Sequence, residues 1–293
     1  MMRFAVGDVR VDIVVVDDDF ELPLAGFLPG SDTPRLMRRR GVLEPDFLDF
    51  GRDIVKFAVQ SFVVRAGGRT VLVDTCIGEG KDRPDIPVWH RRRGTGFLER
   101  LAGAGVDPAD VDIVFCSHLH VDHIGWNTRR ADGRWVPTFP NARYLIGRDE
   151  LADWTARRAA GGAPDMHIRA LQDSVLPVVE AALVDLADDG YDVAEGLTLM
   201  RLPGHTAGQM GLRIDRRDGH AVFCGDAVHS PVQVFEPGVS TSSCADPLAA
   251  AATRRALLED AVATGSLLVP AHFRGARCAR IRHGPAGFEP VFG

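Results

Sequence analysis

The sequence has no uninterrupted apolar run of the roughly 20 residues that a membrane-spanning helix needs. Its first residues, Met1 to Asp8, also lack the apolar core and the cleavage site of a secretory signal peptide. The five cysteines are odd in number and scattered, and no two have CxxC spacing, which is typical of reduced thiols. These absences predict a cytoplasmic protein without a membrane partner.

Lysine is nearly absent, because Lys56 and Lys81 are the only two in the chain, and the net charge is −6. Basic character therefore rests on arginine, including the short runs at 38–40 and 91–93. A protein that binds nucleic acid would need a broader basic face. We therefore expect no nucleic-acid partner, and we interpret the two arginine runs as solvated surface.

The composition is otherwise that of an ordinary globular protein, with 45% hydrophobic and 25% charged residues over 293 positions. Two β-hairpins are predicted, and the second strand of each ends in an aspartate, Asp74 or Asp226. This echo suggests two similar halves that share a site at their junction. The predicted strands are 9–16, 56–65, 70–74, 111–115, 142–146, 197–202, 210–214, 220–225 and 267–269. The predicted helices are 97–104, 148–160, 178–186 and 246–262.

The stretch from about residue 17 to residue 52 has no steady hydrophobic period and is broken by four prolines, yet it keeps large apolar residues such as Phe20, Phe27 and Phe47. We call it the N-terminal arm. A long irregular stretch of this kind is often a functional loop or a partner-binding arm. The alternative interpretation is that the arm wraps the core of its own chain.

A cluster of metal-binding residue types follows the predicted strand 111–115. His118, His120, Asp122 and His123 place three imidazoles and a carboxylate within six positions. Imidazole nitrogen and carboxylate oxygen are ligands that zinc and similar metals prefer. Alternation on an extended backbone lets His118 and His120 point the same way. The cluster would be hard to bury without a metal, because each group needs a partner.

Three further candidate ligands, His205, Asp226 and His272, stand at the ends of apolar strands. Together with the cluster they complete two ligand sets. One metal would take His118, His120 and His205, and the other would take Asp122, His123 and His272. Asp226 would bridge the two metals through its two carboxylate oxygens. Two such ions hold a hydroxide at neutral pH and polarise a substrate oxygen.

The segment 118–123 resembles the HxHxDH signature of the metallo-β-lactamase superfamily, and Asp74, His205, Asp226 and His272 fit its other motifs in order. The resemblance covers roughly residues 55–275. It implies an α/β protein with an αββα four-layer sandwich, in which helices flank two mixed β-sheets. It also implies that Asp74 orients a ligand rather than binding metal. We expect residues 1–293 to form a single domain of this kind, with the N-terminal arm as an extension.

Within the superfamily, the chain most resembles the lactonase and methyl parathion hydrolase-like branch, because of its length, its N-terminal arm and the run at 225–233. It departs from the acyl-homoserine lactonases, which have a tyrosine shortly after the bridging aspartate. Neither Tyr144 nor Tyr191 is in that place, and His229 stands three residues past Asp226 instead. His229 either donates to a substrate oxygen or makes a structural hydrogen bond. In the lactonase-like relatives a similar arm reaches over a neighbouring subunit, which implies a homodimer.

The predicted function is that of a dinuclear metal-dependent hydrolase of a small neutral or apolar ester-type substrate: a lactone, a carboxylic ester or an organophosphate triester. The nucleophile would be a metal-bridging hydroxide. The expected catalytic residues are Asp122, Asp226 and His229, and Trp126, Trp89 and Phe20 are candidates for the substrate pocket. The expected cofactors are two divalent ions, Zn²⁺ first, although Mn²⁺, Fe²⁺ or Co²⁺ would suit the same ligands. The alternatives are a β-lactam or thioester hydrolase of the same fold and an iron-dependent oxidoreductase.

Overall fold

A computed structural model describes residues 2–162 and 165–293 of the chain. The strands are β1 (Met2–Val6), β2 (Val9–Pro23), β3 (Leu48–Asp49), β4 (Ile54–Ala66), β5 (Arg69–Val73), β6 (Ile113–Cys116), β7 (Thr128–Ala131), β8 (Arg134–Pro137), β9 (Arg143–Gly147), β10 (Val184–Ala187), β11 (Asp192–Ala194), β12 (Leu197–Arg201), β13 (Met210–Arg216), β14 (Gly219–Gly225), β15 (Leu267–Pro270), β16 (Ala279–Gly284) and β17 (Gly287–Val291).

The α-helices are α1 (Leu24–Phe27), α2 (Thr33–Met37), α3 (Arg40–Leu43), α4 (Phe97–Gly103), α5 (Arg148–Ala159), α6 (Met166–Ala170), α7 (Leu176–Glu180), α8 (Val232–Phe235) and α9 (Pro247–Thr264). A π-helical turn, Leu171–Val175, joins α6 to α7. Short 3₁₀ turns occur at Pro108–Asp110 and Gly125–Asn127. Within the described ranges, no helix has the combined length and apolar character that a membrane span requires.

Two mixed sheets carry the fold. The first has the order β1-β2-β4-β5-β6-β9-β10, with β3 paired to β4, and the second has the order β11 to β17 in sequence. Strands β5, β6, β9 and β10 run parallel to one another, and β14 and β15 form the parallel pair of the second sheet. The remaining pairs in these sheets are antiparallel, and β7 and β8 form a separate hairpin.

The core consists of apolar layers on both sides of each sheet. Because side chains alternate along a strand, β6 sends Ile113 and Phe115 toward the second sheet, and Val114 toward helices α4, α5 and α7. Leu257 and Leu258 of α9 cover the outer face of the second sheet. The layer order is therefore helix, sheet, sheet, helix, and the expected αββα sandwich is confirmed.

Most of the predicted elements are confirmed, with boundaries shifted by a few residues. Both hairpins form as β4–β5 and β13–β14, and Asp246 caps α9 by accepting hydrogen bonds from the backbone N–H groups of Leu248 and Ala249. The predicted helix at 178–186 is wrong, because α7 ends at Glu180 and the chain turns at Ala182, which has φ +56°. The next residues form β10, parallel to β9. The sequence analysis also missed seven further strands: β1, β3, β7, β8, β11, β16 and β17.

The N-terminal arm wraps the core of its own chain. Its first residues, up to Pro23, are not irregular but belong to β2, which continues alongside β4. Helices α1 to α3 follow, and their leucines are buried together with Phe57 and Phe235. The interpretation as a core-wrapping segment thus accounts for most of the arm's large apolar residues. Two of them, Met37 and Val42, remain exposed.

The loop between β5 and α4 contains a buried ion cluster. Lys81 is only 1% exposed, its Nζ lies 3.5 Å from Asp173 Oδ1, and it donates a 2.6 Å hydrogen bond to Thr128 Oγ1. Arg83 donates two 2.8 Å hydrogen bonds to the same carboxylate of Asp173, which sits in the π-helical turn. Trp135 covers the Lys81 ammonium with its ring, 3.6 Å away. The cluster fixes the loop to the π turn.

Because the Lys81 ammonium is buried, we expect the free energy of unfolding to depend on pH in the alkaline range. Burial lowers the pKa of Lys81 to about 7, and Arg83 adds to this effect while Asp173 opposes it. An unfolded lysine keeps its proton to about pH 10. Between these values the unfolded chain binds more protons, so the free energy of unfolding should rise with pH, by up to about 1.4 kcal/mol per pH unit from this group.

Urea unfolding of wild type and of Lys81→Met at pH 7, 8 and 9 measures this contribution. We expect the wild-type free energy of unfolding to rise more steeply with pH than that of the variant. Lys56→Met, which removes the only other lysine, half-buried on β4, is the matched control and should leave the slope unchanged. Parallel curves for wild type and Lys81→Met would show that Lys81 does not titrate in this range.

Candidate metal centre and substrate cavity

The predicted ligands lie at one edge of the sandwich because the strands that carry them end there. The 118–123 segment follows β6 of the first sheet, whereas His205, Asp226 and His272 follow β12, β14 and β15 of the second. The two sheets approach closely at this edge, where the N–H of Met210 donates to the carbonyl of Ser117 (2.8 Å). Gly225 has φ +48° and a Cβ there would lie 3.0 Å from the Ser117 side chain, so the close approach requires glycine.

The first ligand group brings together His118, His120, His205 and Asp226, with one possible ligand atom from each within 4.8 Å of all the others. His205 Nε2 lies 3.2 Å from Asp226 Oδ2 and 2.8 Å from His120 Nδ1. His118 Nε2 lies 3.6 Å from the same Asp226 oxygen. All four side chains are buried. The structure therefore places these four predicted residues around one point.

The second ligand group brings together Asp122, His123 and His272 under the same distance limit. His123 Nε2 and His272 Nε2 lie 3.8 Å and 3.7 Å from Asp122 Oδ2. The same two nitrogens lie 3.3 Å and 3.0 Å from Asp226 Oδ1. Asp226 therefore turns one oxygen toward each group, which is the arrangement that a bridging carboxylate needs.

The buried atoms of this cluster fit a metal ion. His118 Nε2, His123 Nε2 and Asp226 Oδ1 have no hydrogen-bond partner among the residues that the structure describes. An unsatisfied buried polar atom costs about 1–3 kcal/mol, and a cation at this position would satisfy all three. Nitrogen and carboxylate oxygen donors suit a zinc-type ion. The donor set and its unsatisfied atoms thus agree with a divalent metal site.

The protonation states follow from burial and from one carboxylate. Burial lowers the pKa of His118 and His120 well below its usual value, which keeps both imidazoles neutral. Burial would raise the pKa of Asp226, but the surrounding imidazoles hold it well below its usual value. Burial also opposes the protonation of His123 and His205, but Asp226 outweighs it and raises the pKa of both, that of His205 to about 9.

Hydrogen bonds from outside the cluster fix the orientation of the histidine rings. Asp74 Oδ2 lies 2.8 Å from His123 Nδ1, and its two oxygens also accept hydrogen bonds from the backbone and the hydroxyl of Ser117. His272 Nδ1 donates to the carbonyl of Ala58 (2.8 Å). In both histidines Nε2 is then directed at the cluster. Asp74 therefore lies behind a candidate ligand, where the resemblance placed it.

Glu150 is a buried carboxylate that the sequence analysis missed. Its Oε1 accepts hydrogen bonds from the backbone N–H of Leu119 (2.9 Å) and from Trp154 Nε1 (2.8 Å), and its Oε2 accepts one from the N–H of Gly208 (3.0 Å). It thereby ties the 118–123 segment to the loop that follows His205. The only signal in the sequence was an acidic residue in the first turn of a predicted helix, which is common on exposed helices.

His229 contacts the cluster without a counterpart in the two predicted ligand sets. Its Nε2 lies 3.0 Å from Asp226 Oδ2, and its ring stacks on His272 with 5.5 Å between centroids. Burial lowers its pKa to about 4. Asp226, His229 and His272 also form a third group whose possible ligand atoms are mutually within 4.8 Å. The neutral imidazole is therefore close enough to donate to Asp226 or to a molecule bound beside it.

A cavity of about 730 Å³ opens onto the cluster. Its walls are mainly apolar and include Phe20, Phe27, Phe57, Trp89, Trp154 and Met166. Two of the three predicted pocket residues, Phe20 and Trp89, line it and pack against each other with ring centroids 4.5 Å apart. His167 also lines it and was missed, because an isolated histidine far from the motif gives no signal in the sequence.

The structure contradicts the prediction that Trp126 lines the substrate pocket. Its ring stacks on Phe97 of α4, with 5.4 Å between centroids, and its Nε1 donates to Thr95 Oγ1 (3.3 Å). The 3₁₀ turn after the ligand segment directs the side chain into the layer between the first sheet and the helices. Trp126 is thus a core residue and does not line the cavity.

Fold and cluster together define a class of protein: an αββα sandwich with a histidine–aspartate metal centre at the edge shared by its two sheets. The chain belongs to the metallo-beta-lactamase superfamily, whose family model matches residues 54–272. Among solved structures, it is similar over 99% of its length to the hydrolase AbOPH of the beta lactamase superfamily (TM-score 0.79, 21% identity, 96% of that chain). It is also similar to AidC, a dizinc quorum-quenching lactonase (TM-score 0.76, 21% identity, 100% and 97% of the two chains).

Relatives in sequence are similar over only part of their length. An N-acyl homoserine lactonase, AttM, from Rhizobium radiobacter is 36% identical over 127 residues, which are 41% of each chain. A ribonuclease Z from Mycobacterium avium is 29% identical over 176 residues, 57% of this chain and 56% of the relative. The chain thus spans well under two thirds of these relatives, and the solved structures are similar to it in fold.

Proposed function

We propose that the protein is a dinuclear metal-dependent hydrolase of a small neutral or apolar ester-type substrate: a lactone, a carboxylic ester or an organophosphate triester. The observation that carries this proposal is the position of the histidine–aspartate cluster at one end of a largely apolar cavity. Similarity to a lactonase over 127 residues supports the substrate class. The matched family supports the metal-dependent reaction.

One divalent ion would be held by His118, His120 and His205. The other would be held by Asp122, His123 and His272, and Asp226 would contact both ions. Zn²⁺ is the first expectation. Such ions supply Lewis acidity and a hydroxide nucleophile at neutral pH. The protein's own part is to fix the spacing through Asp226, whose two oxygens face the two groups. Asp74 would keep the His123 ring in place, because its carboxylate accepts from Nδ1.

His229 and Asp122 complete the proposed catalytic set with Asp226. His229 Nε2 is close enough to Asp226 to donate a hydrogen bond to an oxygen bound next to that carboxylate. It would thereby do at this site what a hydroxyl donor does in related lactonases. Asp122 is the least buried of the candidate ligands and faces the cavity, so its free oxygen can accept the proton of the attacking oxygen nucleophile and pass it to the departing alkoxide oxygen.

A screen of metal-quantified protein tests the proposal. Lactones, aryl esters and phosphotriesters should be turned over, and a chelator should abolish turnover until metal is restored. β-Lactams, thioesters and a precursor tRNA, the last suggested by the ribonuclease Z similarity, belong in the same screen. If the protein prefers a β-lactam, a thioester or the precursor tRNA, the corresponding hydrolase replaces the proposal. If it shows visible absorption from iron together with redox activity, the iron-dependent oxidoreductase replaces it.

We further propose a cytoplasmic, single-domain homodimer that acts on a small molecule and binds neither membrane nor nucleic acid. The arm exposes Met37 (51%) and Val42 (38%), two large apolar side chains that a second copy could cover. Multi-angle light scattering should give twice the chain mass, and Met37→Asp with Val42→Asp should shift the protein toward monomer. Exposed Val88→Asp, outside the arm, serves as control. A wild-type monomer would refute the dimer.

A further inference from the structure

His167 is a cavity-lining side chain with no role in the proposed metal sets. It lies in the first turn of α6, where Asp165 Oδ1 accepts hydrogen bonds from the backbone N–H groups of His167 and Ile168 (both 2.9 Å). Its imidazole packs against His120, with 4.2 Å between ring centroids, and against Trp154, with 5.4 Å. It is thereby held beside the metal cluster, one imidazole ring away from it.

The hydrogen bonding of His167 fixes which nitrogen carries its proton. The backbone N–H of Val121 donates to His167 Nδ1 at 3.4 Å, so Nδ1 acts as an acceptor. A neutral imidazole has one acceptor nitrogen and one N–H, and the proton therefore lies on Nε2. Within residues 2–162 and 165–293, no protein acceptor is paired with this N–H, and the half-buried ring lines the cavity. A residue that lines the cavity thus carries a hydrogen-bond donor that pairs with no described protein group.

We propose that His167 is a specificity-determining residue, whose Nε2–H donates to a carbonyl oxygen of the substrate other than the one that is attacked. The inference rests on the proposed function, because it places the attacked carbonyl at the metal cluster. An oxygen beside His167 is separated from that cluster by the His120 ring. The favoured substrates would be esters or lactones that carry a second carbonyl, such as an amide.

The surroundings of His167 suit a fixed donor. Helix α6 runs into the π-helical turn, where Asp173 is held by Lys81 and Arg83. Arg169, in the same helix as His167, is 3.0 Å from Asp85, in the loop that forms another wall of the cavity. Because both walls are tied together, the position of the donor is defined before substrate binds. A preorganised donor discriminates between ligands better than a mobile one.

Three variants of the metal-loaded protein test the proposal. His167→Phe keeps a ring against His120 and Trp154 but removes the donor. His167→Asn keeps an acceptor for the Val121 N–H and a donor on its amide nitrogen. Ile168→Leu changes the same helix outside the cavity lining without altering side-chain hydrogen bonding and is the matched control. Each is compared with wild type on an N-acyl homoserine lactone and on an alkyl γ-lactone of equal length that lacks the amide, with metal content measured throughout.

We expect His167→Phe to raise KM for the amide-bearing lactone roughly 3- to 10-fold, the usual worth of one neutral hydrogen bond, and to leave KM for the amide-free lactone unchanged. His167→Asn should restore part of the difference between the two lactones, and Ile168→Leu should behave like wild type on both. Equal effects on both lactones, or loss of metal in His167→Phe, would reduce His167 to a packing residue and overturn the inference.

Failure of the proposed function is distinguished by binding measurements. If no lactone is turned over, calorimetric dissociation constants of the same two ligands replace KM, and the same pattern is required. Equal binding of both lactones to wild type, or no binding of either, overturns the inference. Nitrogen-15 NMR, with His167→Asn for assignment, tests the tautomer without any ligand. A proton on Nδ1 would also overturn it.

Discussion

Replacement of Asp226 by alanine is expected to lower turnover about a thousandfold or more, while the yield of folded protein stays close to that of wild type. Its Oδ1 contacts Nε2 of His123 and His272, and its Oδ2 contacts Nε2 of His118, His205 and His229. Losing the shared carboxylate would remove the spacing between the two proposed ions. Their stabilisation of the transition state would be worth several kcal/mol, and each 1.4 kcal/mol is about tenfold in rate.

We expect the fold to be kept, because Asp226 is not part of the apolar layer that packs around β14. Steady-state kinetics on the best substrate and circular dichroism of the same preparation give the two readouts. Asp218→Ala, in the exposed turn between β13 and β14, is the matched control and should retain full activity. A correctly metallated Asp226→Ala with turnover near that of wild type would remove Asp226 from the mechanism.

We expect the wild type to bind about two metal ions per chain and His123→Ala to bind about one. His123 belongs to the group with Asp122 and His272, and its removal leaves two of those three ligands. The other group keeps His118, His120 and His205 intact. Elemental analysis after exhaustive dialysis measures the difference, and activity should fall with the lost ion because the second cation no longer supports the reaction.

His220→Ala controls for the loss of an imidazole outside the cluster, since His220 pairs with Asp215 on the partly exposed β13–β14 hairpin. It should keep the full metal content. If His123→Ala also retained both equivalents, the division of the ligands into two groups would be wrong. Loss of both equivalents would instead show that the two positions fill cooperatively.

The seven candidate ligands could be predicted from the sequence because each stands at the end of a recognisable apolar strand. Strand ends on one edge meet in space, so Asp226 and His272 could be associated with His118 although more than 100 positions separate them. The hairpins and α9 were equally accessible, since their turns and cap are local signals. These residues share a local signal in the sequence, a strand end, a turn or a helix cap, that determines where they lie in the fold.

Glu150, His167 and Trp126 show where that reasoning stops. Glu150 and His167 gain their roles from backbone groups of the 118–123 segment, which no local pattern can connect to them. Trp126 adjoins the motif in sequence, yet a single 3₁₀ turn directs it into the core. The strand β10 was mistaken for helix because a short apolar run has no distinguishing period. Long-range packing, rather than propensity, decided each case.

The division of the ligands between the two sheets has a consequence for assembly. Strands β1 to β10 lie in the first sheet or in the separate β7–β8 hairpin, and β11 to β17 lie in the second sheet. The described chain therefore passes between the two sheets once, at 188–191. The first part supplies His118, His120, Asp122 and His123, and the second supplies the other three ligands. Neither part has a complete ligand set by itself. Bound metal would therefore act as a coordination cross-link, and a chain cut at 188–191 would regain its ions only when both fragments associate.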